Sequence, residues 1–252
     1  MPIDPSPSNY RLWDGCLPLL AFFIAATSLS ILLQILTARE RWNEEGHADA
    51  GDRRRASSLH IRRRVQHAAT GLLFVGLSYT GIPLRAGSAM LFVGAGLLYV
   101  LHRARLRSDR VRVLYLRLFG SLLRPREVAG DPPGALYFLL GTAVVALFLP
   151  ARSARCAVLC LSLADPAAAV AGTILGGPTL GDDRTTVAGS AACLMVSTAV
   201  ALLMGFSPVT AIGTAMASTL AEAVAPKVKM DDNFLVPVGA GIALWALEGA
   251  VV

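Results

Sequence analysis

The chain has 252 residues, of which 54% are hydrophobic and 16% are charged. Soluble domains carry about 25% charged residues, so this composition argues against a soluble protein and predicts a membrane protein. The formal net charge is +6, and all but two of the 23 basic residues are arginines. Because these arginines border apolar runs, we attribute them to membrane topology and to lipid or nucleotide phosphates, and not to nucleic-acid binding.

Long apolar runs recur along the chain and predict an all-α, polytopic membrane helix bundle with about eight transmembrane helices. These segments are residues 17–38, 66–82, 86–101, 134–149, 156–174, 188–205, 208–225 and 234–251. The first exceeds the length of a signal-peptide core and lacks a small-residue cleavage site, so we expect it to remain as an anchor.

Basic residues orient this bundle. Of the 23 lysines and arginines, 19 fall on one side of the predicted membrane, which the positive-inside rule makes cytosolic. Both termini then lie on the lumenal side. The chain accordingly divides into a lumenal tail (1–16), a first membrane anchor (17–38), a polar cytosolic connector (39–60) and a membrane-embedded domain (61–252).

Residues 106–124 mix leucine and valine with regularly placed arginines. This pattern predicts one cytosolic helix lying in the membrane interface, with its arginines towards phosphates. A surface helix whose arginines merely extend into water would show the same pattern.

Asp165 lies in the middle of an otherwise apolar segment, directly before Pro166. A carboxylate at that depth is costly unless it faces protein, water or a cation, and the proline removes one helical hydrogen bond beside it. Other unusual polar residues collect on the predicted cytosolic side: Arg63, Arg64, His67, Arg184, Thr186, Gly189, Ser190, Glu222, Asp231, Asp232 and Asn233.

Together these residues have the ingredients of phosphoryl transfer, which needs cations, metal-binding carboxylates and donors for phosphate oxygens. Asp165 and Asp232 could hold a divalent metal, with Asn233 as a neutral oxygen ligand. Phosphate could be bound by Arg63, Arg64 and Arg184, and by the helix start that contains Thr186, Gly189 and Ser190. No Walker loop occurs in the sequence.

Structural interpretations of the same residues remain open. His67 could bond a neighbouring carbonyl, and Glu222 could be no more than a polar helix end. Residues 231–233 could cap the last helix, which is compatible with a ligand role.

Five ordered segments carry a family resemblance. Residues 63–71 resemble RKxxHxxxG, residues 134–141 resemble GxLYFxxG, residues 165–176 resemble DxAAAxxGxxxG, residues 186–190 resemble the end of KSLAGS, and Glu222 with residues 231–237 resembles SE…DDNFxIP. These are motifs of the CTP-dependent lipid kinases, which comprise the yeast-type diacylglycerol kinases, dolichol kinases and phytol kinases. Residues 114–127 are similar to LYxRxxGxLxRxxE, which is typical of the diacylglycerol kinase branch. The similarity spans residues 60 to 250, with threonine at two positions, 173 and 185, that are basic in the family.

This resemblance implies a CTP-dependent diacylglycerol kinase, which transfers the γ-phosphate of CTP to diacylglycerol and forms phosphatidate at the cytosolic face of the endoplasmic reticulum or nuclear envelope. It implies a divalent cation, Mg²⁺ or Ca²⁺, at Asp165, Asp232 and Asn233. The residues expected to bind nucleotide phosphates are Arg63, Arg64, Arg184, Thr186, Gly189 and Ser190. Asp165 is expected to be catalytic, together with either His67 or Glu222 as the group that orients or deprotonates the lipid hydroxyl.

Three alternatives remain. A dolichol, polyprenol or phytol kinase shares every motif except the segment 114–127. Cytidylyl transfer to phosphatidate would release pyrophosphate instead of CDP. A catalytically silent lipid-binding membrane protein is the alternative from another class, because residues 173 and 185 lack the expected charge.

Overall fold

The structure is a computed structural model that describes residues 51–180 and 185–249. The lumenal tail, the first anchor, most of the polar connector and Arg184 therefore lie outside the described residues. Within the described ranges the chain is helical, and its one β-type pairing is an isolated bridge between Thr179 and Thr186. The predicted all-α class is confirmed.

Every predicted span from residue 66 onward coincides with a helix. The helices are α1 (Gly51–Leu77), α2 (Leu84–Arg107), α3 (Asp109–Phe119), α4 (Pro125–Ala129), α5 (Gly134–Phe148), α6 (Ala151–Leu159), α7 (Asp165–Leu175), α8 (Val187–Leu203), α9 (Pro208–Val224) and α10 (Asp232–Gly249). A π-helical turn, Cys160–Ala164, joins α6 to α7 into one continuous helix.

Two helices of the described chain are long and apolar enough to cross a membrane. They are Leu84–Arg107, with 24 residues, and the continuous helix Ala151–Leu175, with 25 residues. At about 1.5 Å per residue each exceeds the roughly 30 Å of a bilayer core. Gly134–Phe148 and Val187–Leu203 are apolar but shorter. These helices suggest that the protein associates with a membrane.

Small side chains form much of the bundle core. Ala157, Ala201, Ala211 and Ala240 are fully buried. Side chains of this size let helix backbones approach closely, so that dispersion forces act over the whole contact. The core is therefore held together by close helix contacts more than by bulky apolar side chains.

The end of the bundle opposite the predicted cytosolic side is fastened by two arginines. Arg152 donates to the carbonyl oxygens of Met204 and Gly205, at the end of α8. Arg155 donates to the carbonyl oxygen of Ser78 at 2.7 Å, just beyond α1, and its guanidinium lies 3.8 Å from the ring centroid of Tyr79. Cations at these positions donate hydrogen bonds to free carbonyls. They are also stabilised by the negative end of the helix dipole.

The predicted interfacial helix 106–124 is shorter than expected. The preceding helix, α2, runs to Arg107, Ser108 is extended at φ −136° and ψ 121°, and α3 occupies only Asp109–Phe119. A short 3₁₀ turn, Gly120–Leu122, follows. Arg124 lies beyond this turn and does not belong to the amphipathic helix. His102, which lies just beyond the predicted span 86–101, is buried in α2.

Candidate active site

Asp165 owes its position to the π-helical turn that precedes it. Pro166 has no N–H to donate to the preceding turn, and the wider π turn occurs at this break in the α-helical pattern. The backbone N–H of Asp165 still donates to the carbonyl of Leu161. π turns of this kind are common at functional sites.

His67 and Asp165 face each other from α1 and α7. The two atoms His67 Nε2 and Asp165 Oδ2 are 4.0 Å apart, and the side chains are 12% and 25% exposed. The imidazole packs edge-on against Phe138, with ring centroids 5.0 Å apart, and it hydrogen-bonds to the backbone of Leu161. Its Nε2 atom is buried without a hydrogen-bond partner among the described residues. The carbonyl bond considered for His67 is therefore present, and it leaves one nitrogen directed to Asp165.

Residues 231–233, at the start of α10, tie this helix to α5. The backbone N–H of Asn233 donates to Asp231 Oδ1 at 3.1 Å and to Asp232 Oδ1 at 3.0 Å. The Asn233 amide donates to the carbonyl of Gly134 at 3.2 Å. Its Oδ1 atom is buried and has no hydrogen-bond partner in the described chain. Residues 231 and 232 thus cap the helix, while Asn233 keeps one oxygen for a ligand.

Arg124 is a site residue that the sequence reasoning missed. One guanidinium nitrogen, Nη2, lies 3.0 and 3.1 Å from the two carboxylate oxygens of Asp232, and Nη1 lies 3.2 Å from Asp231 Oδ2. Arg126 Nη2 contacts the same oxygen of Asp231 at 3.0 Å. Although burial opposes the charged form, the carboxylates of Asp232 and Asp231 raise the pKa of Arg124 above its ordinary value.

Glu127 explains why Arg124 reaches this position. The carboxylate is almost fully buried, and it accepts the N–H of Arg124 through Oε2 and the N–H of Gly134 through Oε1, each at 3.0 Å. It therefore fastens the start of α4 to the start of α5. A methyl group on Gly134 would lie 2.7 Å from the Asn233 amide nitrogen, so a larger residue there would displace the Asn233 side chain. The Arg-x-x-Glu spacing at 124 and 127 was the signal in the sequence.

The start of α8 packs against the helix that carries Asp165. Thr186 caps α8 by accepting the N–H of Gly189 at 3.1 Å. A methyl group on Gly172 would lie 2.7 Å from Thr186 Oγ1, and one on Gly189 would lie 3.0 Å from the carbonyl of Ala168. Residues 165, 168 and 172 share one face of α7. Since Thr186 meets this face at Gly172, it lies roughly 10 Å along α7 from Asp165.

Two further polar groups border the site from α8 and α9. The hydroxyl of Ser190 and the Oε2 atom of Glu222 are buried without hydrogen-bond partners in the described residues. Glu222 is hydrogen-bonded to the thiol of Cys193, and its charge interacts with those of Asp165 and Asp232. Glu222 therefore interacts with the same two carboxylates as His67, but its hydrogen-bond partner is Cys193.

The adjacent arginines of α1 point to different parts of the site. Arg64 donates to Thr173 Oγ1 at 3.4 Å, and so reaches α7 beyond Asp165. Arg63 lies close to Gly134, and its charge interacts with those of Asp165 and Asp232. The two guanidiniums thus have different neighbours, Thr173 on α7 for Arg64 and Gly134 at the start of α5 for Arg63.

A divalent cation fits this site only with additional ligands. Among residues 51–180 and 185–249, no three His, Cys, Asp or Glu side chains are grouped closely enough to hold a metal ion by themselves. Mg²⁺ is commonly bound by one or two carboxylates completed by water and substrate phosphates. Asp165, Asp232 and the unpartnered Oδ1 of Asn233 suit a cation that is shared with a nucleotide.

The predicted site residues that the structure describes therefore occupy one end of the bundle. Electrostatic interactions join Asp165 to His67, Asp232 and Arg63, and also to the unpredicted Arg124. Arg184 cannot be included, since it lies outside the described residues. No protein-family model, curated protein or solved structure matches this chain.

Proposed function

We propose that this protein is a membrane-embedded phosphotransferase that moves the γ-phosphate of CTP to the hydroxyl of diacylglycerol, giving phosphatidate and CDP. The observation that carries the proposal is the His67–Asp165 pair, with Nε2 and Oδ2 4.0 Å apart. Near this pair are the acidic start of α10 and the start of α8, which packs against α7 at glycine residues. The resemblance of residues 63–237 to the CTP-dependent lipid kinases supports the choice of donor and acceptor.

His67 is the group that accepts the proton of the lipid hydroxyl in this proposal. The hydroxyl oxygen forms a bond to the γ-phosphorus while the bond from that phosphorus to the β–γ bridging oxygen breaks, and CDP leaves with the electron pair. The proton passes to Nε2, which has no hydrogen-bond partner in the described chain. Asp165 stabilises the resulting imidazolium by its charge. Glu222 also keeps an unpartnered oxygen, Oε2, but its hydrogen-bond partner is the thiol of Cys193, whereas His67 has the carboxylate of Asp165 at 4.0 Å to stabilise its charged form.

Several helices supply groups that neutralise the negative charge of the nucleotide phosphates. Arg63 and Arg64 approach from α1, and the positive end of the α8 helix dipole, with Ser190 beside it, favours an anion. Arg184 supplies a further cation. A Mg²⁺ or Ca²⁺ ion would be held by Asp165, Asp232 and Asn233, where it would neutralise phosphate charge and orient the polyphosphate.

The proposal includes a membrane arrangement. The chain crosses the bilayer eight times, α3 lies in the interface, and the site faces the cytosol of the endoplasmic reticulum or nuclear envelope. This is supported by the two long apolar helices and by the helices at every predicted span from residue 66 onward. It is also supported by the 19 of 23 basic residues on the side of the site.

The test is transfer of labelled phosphate by the purified full chain in lipid nanodiscs. CTP labelled at the γ-phosphate, with Mg²⁺ and dioleoylglycerol, should give labelled phosphatidate and CDP, and Asp165→Asn should slow this reaction by about 10²–10⁴. Glu248→Gln is the matched control, since Glu248 pairs with Arg152 at the opposite end of the bundle. Product formed only from dolichol or phytol would indicate the isoprenoid alternative, and release of pyrophosphate would indicate cytidylyl transfer. Substituting ATP tests the donor.

A catalytically silent lipid-binding membrane protein is the second candidate. It is favoured by Arg124, which engages both oxygens of Asp232, and by the uncharged Thr173. If the chain binds no CTP and transfers no phosphate to any of these alcohols, this candidate replaces the kinase.

A further inference from the structure

Arg124 already occupies Asp232, the carboxylate that the proposed function assigns to a divalent cation. The Nη2 atom of Arg124 lies within 3.1 Å of both carboxylate oxygens of Asp232. A bound Mg²⁺ would lie about 2.1 Å from one of those oxygens, which places two positive groups within a few ångströms in a poorly solvated site. The guanidinium and the cation are therefore alternative partners of this carboxylate.

The main chain at Arg124 is fixed, whereas its side chain is partly exposed. The backbone N–H is held by Glu127, and the carbonyl of Glu127 is held in turn by Arg105 at 2.8 Å. The Arg124 side chain is 20% exposed, and its guanidinium is carried on a stem with several rotatable bonds. Arg126 also contacts Asp231, so Asp231 keeps a partner when Arg124 leaves.

We propose that Arg124 exchanges partners when nucleotide binds. It neutralises Asp232 in the nucleotide-free protein, and it moves to a phosphate of the nucleotide when a divalent cation takes its place at Asp232. A guanidinium suits both partners, because carboxylate and phosphate oxygens accept the same paired hydrogen bonds. Arg124 is thus a positioning residue that makes cation binding depend on the nucleotide. This inference rests on the proposed function, because it assigns a phosphate ligand to the same site.

The first test measures Mn²⁺ binding without nucleotide, by electron paramagnetic resonance of the full chain in nanodiscs. Arg124→Gln frees Asp232, and we expect Mn²⁺ to bind about tenfold more tightly than to the wild type, in line with the loss of one charged hydrogen-bonded competitor. Arg126→Gln removes the same charge from Asp231 alone, and it should change Mn²⁺ affinity less than about twofold. Adding Asp232→Asn to Arg124→Gln should abolish the gain. Equal Mn²⁺ affinity in wild type and Arg124→Gln would overturn the exchange.

The second test measures CTP affinity in the presence of Mg²⁺. Arg124→Gln should weaken CTP binding about tenfold, and Arg124→Lys, which retains the charge without the paired donors, should weaken it less. A purely structural ion pair predicts a lower thermal midpoint for both variants, with no gain in Mn²⁺ affinity and no selective loss of CTP affinity. That pattern would overturn the proposal.

The two hypotheses fail in different ways. If the wild type binds no CTP, the proposed function fails. The Mn²⁺ measurement still decides whether Arg124 competes for Asp232, and inorganic pyrophosphate can then replace CTP as the phosphate probe. If the wild type transfers phosphate but Arg124→Gln leaves both affinities unchanged, only the exchange of partners fails.

Discussion

Gly71 on α1 lies directly against Ser162 in the π-helical turn, with no space for a side chain between them. A methyl group built on Gly71 would overlap both Oγ and Cβ of Ser162. Ser162 cannot easily withdraw, because it is fully buried and its hydroxyl donates to the carbonyl of Val158 at 2.7 Å. His67 lies one helical turn before Gly71, and Asp165 lies three residues after Ser162. This contact therefore sets the separation of the two proposed catalytic groups.

Gly71→Ala should push α1 away from the π turn. We expect a loss of about 1–3 kcal/mol in the free energy of unfolding, as for other overpacked sites, and a fall in phosphate transfer. Gly76→Ala is the control on the same helix, because no atom lies within 4 Å of its added methyl group. There alanine should be neutral or stabilising by up to about 1 kcal/mol. Unfolding of the purified protein by denaturant measures both, and a Gly71→Ala protein as stable as the wild type would contradict the contact.

His67 and Asp165 should act as a unit. His67→Gln and Asp165→Asn are each expected to lower kcat by about 10²–10⁴, the usual contribution of a general base. The double variant should be no slower than the worse single variant, because either change disables the same proton transfer. Steady-state rates of all three, with Glu248→Gln as the remote carboxylate control, measure this coupling. Losses that multiply would show that the two groups act independently.

Loss of the Glu127 carboxylate should detach α4 from α5. Glu127→Ala leaves the N–H groups of Arg124 and Gly134 without their partner, and buried unsatisfied donors cost about 1–3 kcal/mol each. We expect Glu127→Ala to lower the free energy of unfolding by about 2–4 kcal/mol, and Glu127→Gln, which retains one acceptor oxygen, by less. Denaturant unfolding of both variants gives the comparison. Equal losses would mean that the carboxylate charge matters more than its acceptors.

Arg105 should hold the segment between α2 and α5 in place. It is buried, donates to the carbonyls of Glu127 and Asp131 at 2.8 Å, and lies 4.5 Å from the ring centroid of Tyr115. Arg105→Met keeps the apolar bulk but removes the donors, so trypsin should cleave within residues 109–131 at least several-fold faster. Arg107→Met, on the exposed side of the same helix, is the control. Mass spectrometry identifies the fragments and their rates of appearance. Cleavage of Arg105→Met at the wild-type rate would contradict this role.

Much of the fold follows from the sequence, because apolar runs long enough for a membrane also propagate as helices. Asp165 stood out because a carboxylate is costly in such a run, and the cluster of polar residues at one side followed from the order of the helices. The end of α3 at Phe119 did not follow, since an amphipathic pattern gives a helix face and not its last residue.

The ion pairs of Arg124 could not be predicted from one sequence. Its partners, Asp231 and Asp232, are 107 and 108 positions away, and the Arg-x-x-Glu spacing marks Arg124 without indicating which carboxylates it meets. The buried Arg105 was missed for the same reason, because its partners are backbone carbonyls that any residue could provide. Tertiary packing decides such pairs.

The π turn has a consequence for how this protein tolerates insertions and deletions. A deletion within Cys160–Ala164 would be absorbed by closing the wide turn to an α turn, whereas a deletion in the regular helix just before it would rotate every later side chain by about 100° around the axis. The segment would remain as apolar and nearly as long, yet the acidic group would aim elsewhere than at the imidazole of α1. An insertion or deletion in this helix therefore disturbs the site more than the exchange of one apolar residue for another.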